Sequence, residues 1–429
     1  MRQQVQPNLL EGEHRGAVRS HHEAVHPGTA ESRISADDLV GGETGLRVCL
    51  ISETLITGVG RHVVDLAQAL IGRGHHVLLI HSSLRFEQRL VDELDRLPGL
   101  VRKSLPAKIG PHWTDLKVLR EVLALIRRHG PFDVIHGHSS KGGLYARLSG
   151  LFVRRPVLYS PHSFVTSKPD LSLANRILYR SVEKGLAWMT SCIVCTSEAE
   201  LAHARHLGIR EARLDTIHNG LSDDTFEQPK VDVRRRLGLS EETVVVGFVG
   251  RMDQQKAPQR LVDAAIHLLR CRKDFHFVML GDGPFRSNLE QKLTDLDLRE
   301  YFSWCGYQNA RQWIPDFDIL AMPSQYEGFS YVLLETLKAG VPVICTPVAG
   351  VSDAVQDGVE GFVVPHDDDQ ALARRLMDLG NDPEQRRRMG ERGRGSAARF
   401  TVDRMIEKLE KLYRSLSASR SPVSATESG

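Results

Sequence analysis

Apolar residues along this chain gather into short continuous runs of strand length, with amphipathic stretches between them. The first run covers residues 46–52 and is followed by a glycine-containing segment, Thr57-Gly-Val-Gly60. Beyond it Val63, Leu66, Ala67, Leu70 and Ile71 recur at helical spacing until Gly74 closes the stretch. The pattern predicts a strand over 46–52, a loop, a helix over 62–73 and a strand over 76–81, which together make one βαβ unit. Further runs at 134–137, 157–160 and 193–197 alternate with helical patterns and predict a parallel, doubly wound sheet.

Turn chemistry at Asn219-Gly-Leu-Ser-Asp-Asp224, and then a charged stretch over 230–242, interrupt the alternation. It resumes with strand 244–250, helix 258–270, strand 276–281, helix 285–296, strand 319–323, helix 331–339 and strand 341–346. The second half thus repeats the architecture of the first, and the lack of a shared period excludes a tandem repeat array. The expected division begins with a disordered leader over 1–44, a first domain over 45–228 and a second over 229–400. An amphipathic helix over 401–416 then packs back on the first domain, and a Ser/Arg/Pro-rich tail over 417–429 is unfolded.

A length of 429 residues exceeds what one hydrophobic core usually supports, in keeping with two domains. Lys and Arg total 56 against 54 Asp and Glu, so no global field recruits nucleic acid, and nucleic acid is not an expected partner. The six cysteines are scattered, which suits a reducing compartment. No apolar run approaches the roughly 18 residues that span a bilayer, and residues 1–44 lack the basic start and apolar centre of a signal peptide. A cytoplasmic location is the expectation. Charge is uneven, however: residues 101–128 hold seven basic and two acidic side chains, and 141–184 hold eight and two. Leu173, Ile177, Leu178, Leu186 and Trp188 add an apolar component to that basic surface. It reads either as a solvated face or as a peripheral contact for an anionic membrane surface or a pyrophosphate-linked lipid acceptor.

The densest chemistry lies in Pro323-Ser-Gln-Tyr-Glu-Gly-Phe-Ser-Tyr-Val-Leu-Leu-Glu335. A strand ends at Pro323, Glu327 sits in a loop, and Gly328 allows close backbone approach. A helix starting near Ser330 turns free N–H groups toward the crevice, a setting for anions and hydroxyls. Glu335 follows Glu327 by eight residues, so on a helix the carboxylates return to roughly one side and suit a polyhydroxylated ligand. Two glutamates on an exposed helix start is the plainer reading of that spacing, and the flanking Pro-Ser and Ala-Gly-Val-Pro-Val weigh against it. Gly247-Phe-Val-Gly-Arg-Met-Asp-Gln-Gln-Lys256 brings Arg251 and Lys256 to the carboxyl edge of the second sheet. There a guanidinium and an ammonium can flank a diphosphate, beside Gly281-Asp-Gly-Pro284 at the end of the next strand.

The ordered set Val249-Gly-Arg251 with Lys256, Leu280-Gly-Asp-Gly-Pro284, Met322-Pro-Ser324 and Glu327-x7-Glu335 resembles the family-four (GT4) retaining glycosyltransferases of the GT-B fold. The similarity runs from about residue 45 to about residue 415. Thr57-Gly-Val-Gly60 stands where that family has its first glycine-rich loop, Ser160-Pro-His-Ser163 where it has a histidine, and Ile217-His-Asn-Gly220 before its linker. The resemblance implies an α/β protein of two facing Rossmann-like domains with a cleft between them, the second holding a nucleotide-diphosphate sugar. It implies that Arg251 and Lys256 bind the donor diphosphate, that Glu327 lies beside the transferred sugar and that Glu335 holds the ribose hydroxyls. His162 would face the sugar from the first domain, Gly58 and Gly60 would let the first loop close over the phosphates, and Gly328, Phe329 and Ser330 would border the donor. The catalytic set implied is Glu327, His162, Arg251 and Lys256, in front-face transfer with retention and with no cofactor or metal. Ser330, where glycine is frequent, and Asp353, where glutamate is usual, depart from the family pattern near the donor.

The implied function is transfer of a sugar to a hydroxyl of a lipid-linked glycan in cell-surface polysaccharide (exopolysaccharide) synthesis. Alternatives are an enzyme making a small glycoside or disaccharide phosphate, and a catalytically silent sugar-nucleotide sensor, against which the retained charged residues argue. Other signals are set aside. Asp316-Phe-Asp318 imitates a metal-binding DxD but immediately precedes a strand, and Cys192-Ile-Val-Cys195 points its thiols to opposite faces of one. His136-Gly-His138 has no further ligand at a suitable spacing and reads as a loop lining the acceptor cleft.

Overall fold

The computed structural model describes residues 45–108, 110–227 and 229–419. The expected leader over 1–44 and the last ten residues of the expected tail, 420–429, lie outside the described residues. In the first half the Val/Ile/Leu-rich runs form β1 (Arg47–Ser52), β2 (His76–Ser82), β4 (Val134–His138), β5 (Val157–Ser160) and β6 (Cys192–Cys195). The shorter β3 (Val101–Leu105) and β7 (Leu214–Thr216) close the edges of a parallel sheet ordered β3-β2-β1-β4-β5-β6-β7. The second half repeats the scheme with β8 (Val244–Val249), β9 (Phe275–Leu280), β10 (Phe302–Gly306), β11 (Ile319–Met322), β12 (Val343–Cys345) and β13 (Gly361–Val363), ordered β10-β9-β8-β11-β12-β13. Helices cover both faces of each sheet, so the central strands are buried on both sides and need no polar alternation. No helix among the described residues is long and apolar enough to cross a membrane.

The chain passes between the halves at two neighbouring points. Leu221 N donates to Phe400 O at 2.9 Å, and Val402 N donates to Leu221 O at 3.1 Å. A side chain at Gly220 would overlap the backbone of Thr401, so the strands of this crossing lie backbone to backbone. Beyond it the helix Val402–Ala418 returns to the first half and buries Met405, Ile406, Leu409 and Tyr413 in the same core as Val63, Leu66 and Leu70.

The segment Thr57-Gly-Val-Gly60 is not a loop. It forms the first turn of the helix Thr57–Gly72, which Ile56 enters in extended conformation and Thr57 opens at a φ of +50°. Gly60 N donates to Ile56 O at 2.9 Å, and a Cβ on Gly60 would stand 2.6 Å from the Leu55 carbonyl carbon. Packing against Leu55 thus demands a glycine at this position. The run over 193–197 also ends early: Ser197 leaves the strand to cap the helix Glu198–His206, accepting from Glu200 N.

Candidate active site

The carboxyl ends of β8 and β11 lie side by side. After β8 the chain passes Arg251 to Lys256 and enters the helix Pro258–Leu269 through Ala257 in left-handed conformation. After β11 the loop carrying Glu327 leads to Ser330, which caps the helix Tyr331–Ala339 by accepting from Leu333 N. The two loops are stitched together, since Gln325 N donates to Gln255 O at 2.7 Å and Gln255 Nε2 donates to Tyr326 O at 3.2 Å. Lys256 Nζ therefore reaches Glu327 Oε1 at 2.6 Å, and Ser324 Oγ donates to the same oxygen at 2.8 Å. Glu327 is buried, whereas Arg251 is exposed and rests on the Asp253 carboxylate. A side chain at Gly281, with φ +128°, would overlap the Gly250 carbonyl, so the next strand's loop packs directly behind this one.

Glu335 and Glu327 have different partners. Because Glu327 precedes the helix, counting turns does not relate the two carboxylates. Glu335 is buried and accepts from Arg311 Nε at 2.8 Å. Phe329 follows Gly328 in the same loop. Its ring packs between His218 and Phe400, each 5.1 Å away by centroid, and its carbonyl accepts from Asn219 Nδ2 at 2.8 Å. Gly58, in the first turn of the helix Thr57–Gly72, faces Tyr331: a Cβ there would lie 3.4 Å from Tyr331 Cδ2.

On the facing side, the turn after β5 places His162 at φ +55° and Ser163 at φ +101°. Consecutive left-handed residues other than glycine are strained by about 1–3 kcal/mol each and persist only where neighbours hold them. The holder is Glu200, which accepts from Ser163 N at 2.6 Å, Thr196 N at 2.6 Å and Thr196 Oγ1 at 2.9 Å. Burial pushes the Glu200 carboxyl above its ordinary range, against those bonds. The Ser197-x-x-Glu200 spacing, a capping-box pattern, is the local signal that marks this residue. A Cβ on Gly328 would lie 3.1 Å from the His162 carbonyl oxygen, so the strained turn and the Glu327 loop meet. A cleft of ≈ 210 Å³ opens beside them, lined by Ser163, Glu200 and His203 from one half and Tyr326, Glu327 and Val348 from the other.

His136-Gly-His138 is the end of β4, not a loop. His136 is fully paired, with Nδ1 2.7 Å from Tyr413 Oη and Nε2 2.9 Å from Ser160 Oγ. His138 Nδ1 lies 3.1 Å from His162 Nε2, and the His62 ring is 4.6 Å from that of His162. Burial pushes His62 down to about 4 and His136 to about 3, and holds His138 and His162 well below the ordinary imidazole range. All four rings are neutral at pH 7. Nothing in the spacing of the sequence assembles them, because His62 belongs to a helix far along the chain from the other three.

Further charged groups lie near the seam, Asp65 among them outside every motif. Asp65, beside Arg61 at 2.7 Å, is raised to about 6 by burial, with Arg61 and Arg311 acting in the opposite direction. Asp353 Oδ2 accepts from Glu198 N at 2.8 Å and lies 2.9 Å from His218 Nε2, tying the halves together. Asp316 and Asp318 turn inward to the chain, accepting from Val233 N and Val245 N, each at 2.8 Å, while Asp318 also pairs with Arg234. Cys192 and Cys195 are buried free thiols.

The family model described as "Glycosyltransferase Family 4" matches residues 56–225, and that described as "Glycosyl transferases group 1" matches residues 230–396. The chain is 28% identical over 329 residues to the putative glycosyltransferase EpsD of Bacillus subtilis (strain 168), covering 74% of this chain and 86% of that one. It is 25% identical over 312 residues to the UDP-Gal:alpha-D-GlcNAc-diphosphoundecaprenol alpha-1,3-galactosyltransferase of Escherichia coli, covering 70% and 79%. The crystal structure of Anabaena HepE in complex with UDP and glucose superposes with a TM-score of 0.75 at 20% identity, over 86% of this chain and 100% of that one. With one model on each half and that shared architecture, the chain belongs to the GT4-type glycosyltransferases of the GT-B fold.

Proposed function

We propose that the protein transfers a hexosyl group from a nucleotide-diphosphate sugar to a hydroxyl of a lipid-linked glycan, with retention and without a metal, in cell-surface polysaccharide synthesis. The observation that carries this reading is the Lys256–Glu327 pair at 2.6 Å, set before the helix that Ser330 caps and beside the His162 turn. An ammonium, the Arg251 guanidinium and the free N–H groups of a helix start gather positive potential where a diphosphate gathers negative charge. In the transfer, the bond between the anomeric carbon and the β-phosphate oxygen breaks and its electron pair stays on that oxygen. The acceptor hydroxyl oxygen bonds the anomeric carbon from the same face, and its proton passes to the departing oxygen. Lys256 and Arg251 stabilise the charge growing on the diphosphate, the task a metal performs elsewhere. Glu327, released from Lys256 as the diphosphate claims the ammonium, is free to accept sugar hydroxyls.

The acceptor class rests on the named activity of the Escherichia coli relative and on the outer surface of the first half. There the helix Leu173–Ala187 buries Ala187 alone and leaves Leu173 73% and Ile177 57% exposed among Arg176, Arg180 and Lys184. That composition fits a peripheral contact with an anionic membrane. A thermal-shift screen against UDP-, GDP-, ADP- and dTDP-sugars tests the donor. One of them raises the melting temperature, and the product formed from it keeps the donor's anomeric configuration by NMR, with EDTA present. Unchanged turnover in Glu327→Ala and Lys256→Ala would show that the site is misplaced.

A further inference from the structure

We infer that His62, His138 and His162 form a binding site for a borderline divalent cation of the Zn2+ class, at the carboxyl edge of the first sheet. Their ligating atoms lie within 4.8 Å of one another, and the His138–His162 pair stands at 3.1 Å. Nitrogens bound to one tetrahedral Zn2+ sit about 3.3 Å apart, given a metal–nitrogen bond of about 2.05 Å. One pair is thus already near coordination distance, in a hydrogen bond that a cation would replace.

Polar satisfaction points the same way. His62 and His138 are almost wholly buried, yet neither ring nitrogen of His62 has a hydrogen-bond partner, while His138 Nδ1 meets only His162 Nε2. Asn219 approaches His62 and mildly favours its charged form without closing a bond of ordinary geometry. His136, 4.1 Å from His138 by ring centroid, shows the contrast, since both its nitrogens are occupied by Tyr413 and Ser160. A buried imidazole without a partner costs free energy that a cation would recover, and neutral rings have the lone pairs to bind one. Imidazole nitrogen suits Zn2+, Co2+, Ni2+ and Cu2+ rather than Mg2+ or Ca2+. The transfer chemistry proposed above uses no metal, His162 is shared between the two readings, and metal binding is measured without any donor.

Co2+ is the probe, added to the full chain, since low-coordinate Co2+–imidazole complexes absorb in the visible range. The parent should bind one equivalent with that absorption, give it up to Zn2+, and melt at a higher temperature when loaded. His62→Asn and His138→Gln should each weaken that equivalent by about tenfold or more, as losing a ligand does at least what losing an outer-shell partner does. His14, His21, His22 and His26 lie ahead of the described residues, and any Co2+ they take is untouched by either substitution. An unchanged affinity for the absorbing equivalent in His62→Asn, or no visible absorption in the parent, overturns the site. Should His138→Gln fail to fold, His62→Asn alone decides, with its metal-free melting curve as the control.

Discussion

In each half of the molecule the candidate chemistry sits at the same topological position. In the second sheet, Lys256 and Glu327 follow β8 and β11, the neighbours at which the strand order reverses direction. In the first, His62, His138 and His162 follow or end β1, β4 and β5 around the corresponding reversal. Open α/β sheets bind ligands at that crevice, so the fold supplies two equivalent places. What differs is the side chains. The second half keeps charged groups at its crevice, balanced against one another and ready for an anion. The first half keeps its rings buried and neutral, which suits a sugar face or a cation and repels no phosphate. Position comes from the fold, and sign comes from burial.

The largest effect that sharpens this comparison is on the charged side. Lys256→Ala should lower kcat by about 10²–10³-fold, the scale of losing one preorganised charge-stabilising donor. Glu327→Ala should act on the same pair, so the double variant should lose less than the two single losses combined. Steady-state kinetics with the stabilising donor checks both, and additive losses would mean that the pair does not act as a unit. The next effect tests whether the halves share one framework. Gly220→Ala forces a methyl group into the Thr401 backbone where the chain crosses between them. It should cost about 1–3 kcal/mol in urea unfolding. An unchanged midpoint would mean that the crossing gives way.

The comparison also separates what the sequence makes legible from what it hides. Central strands such as Val48–Ile51 and Val244–Phe248 are continuous apolar runs buried on both faces, and they stand out. The edge strands β3 and β7 are mostly half-exposed and mixed in character, so no run marks them. Lys256 and Glu327 are visible because each lies in a segment whose neighbours already look like a ligand loop. At Gly60 the sequence leaves two readings undivided, since a glycine packed against Leu55 looks like one needed for a ligand. The imidazole cluster, Glu200 and Arg311 depend on contacts between distant elements, and no window of residues holds them together.

Asp353 offers a smaller handle on the seam itself. Burial pushes its carboxyl up, but the bonds from His218 and Glu198 N outweigh that and hold it below its ordinary value. A depressed folded value means that its stabilisation is present above the unfolded pKa of about 3.9 and is lost as pH falls through the folded one. Asp353→Asn should therefore melt below the parent at pH 7, by the equivalent of about 1 kcal/mol. The gap should narrow as the pH is lowered under 4. A gap independent of pH would show that the carboxylate charge is not what joins the halves.

The smallest expected change in stability comes from the outer surface of the first half, where function and folding part company. Leu173 and Ile177 are 73% and 57% exposed on a helix that buries only Ala187. Replacing both with Ser removes apolar area that the folded chain leaves mostly in solvent, so unfolding free energy should move by no more than about 0.5 kcal/mol. Flotation with vesicles containing phosphatidylglycerol should nevertheless fall, because insertion of that apolar strip is lost while Arg176, Arg180 and Lys184 keep their attraction. The residual binding should then disappear with added salt, whereas the parent retains a salt-resistant part. Equal flotation of parent and variant at every ionic strength would assign this helix to solvent.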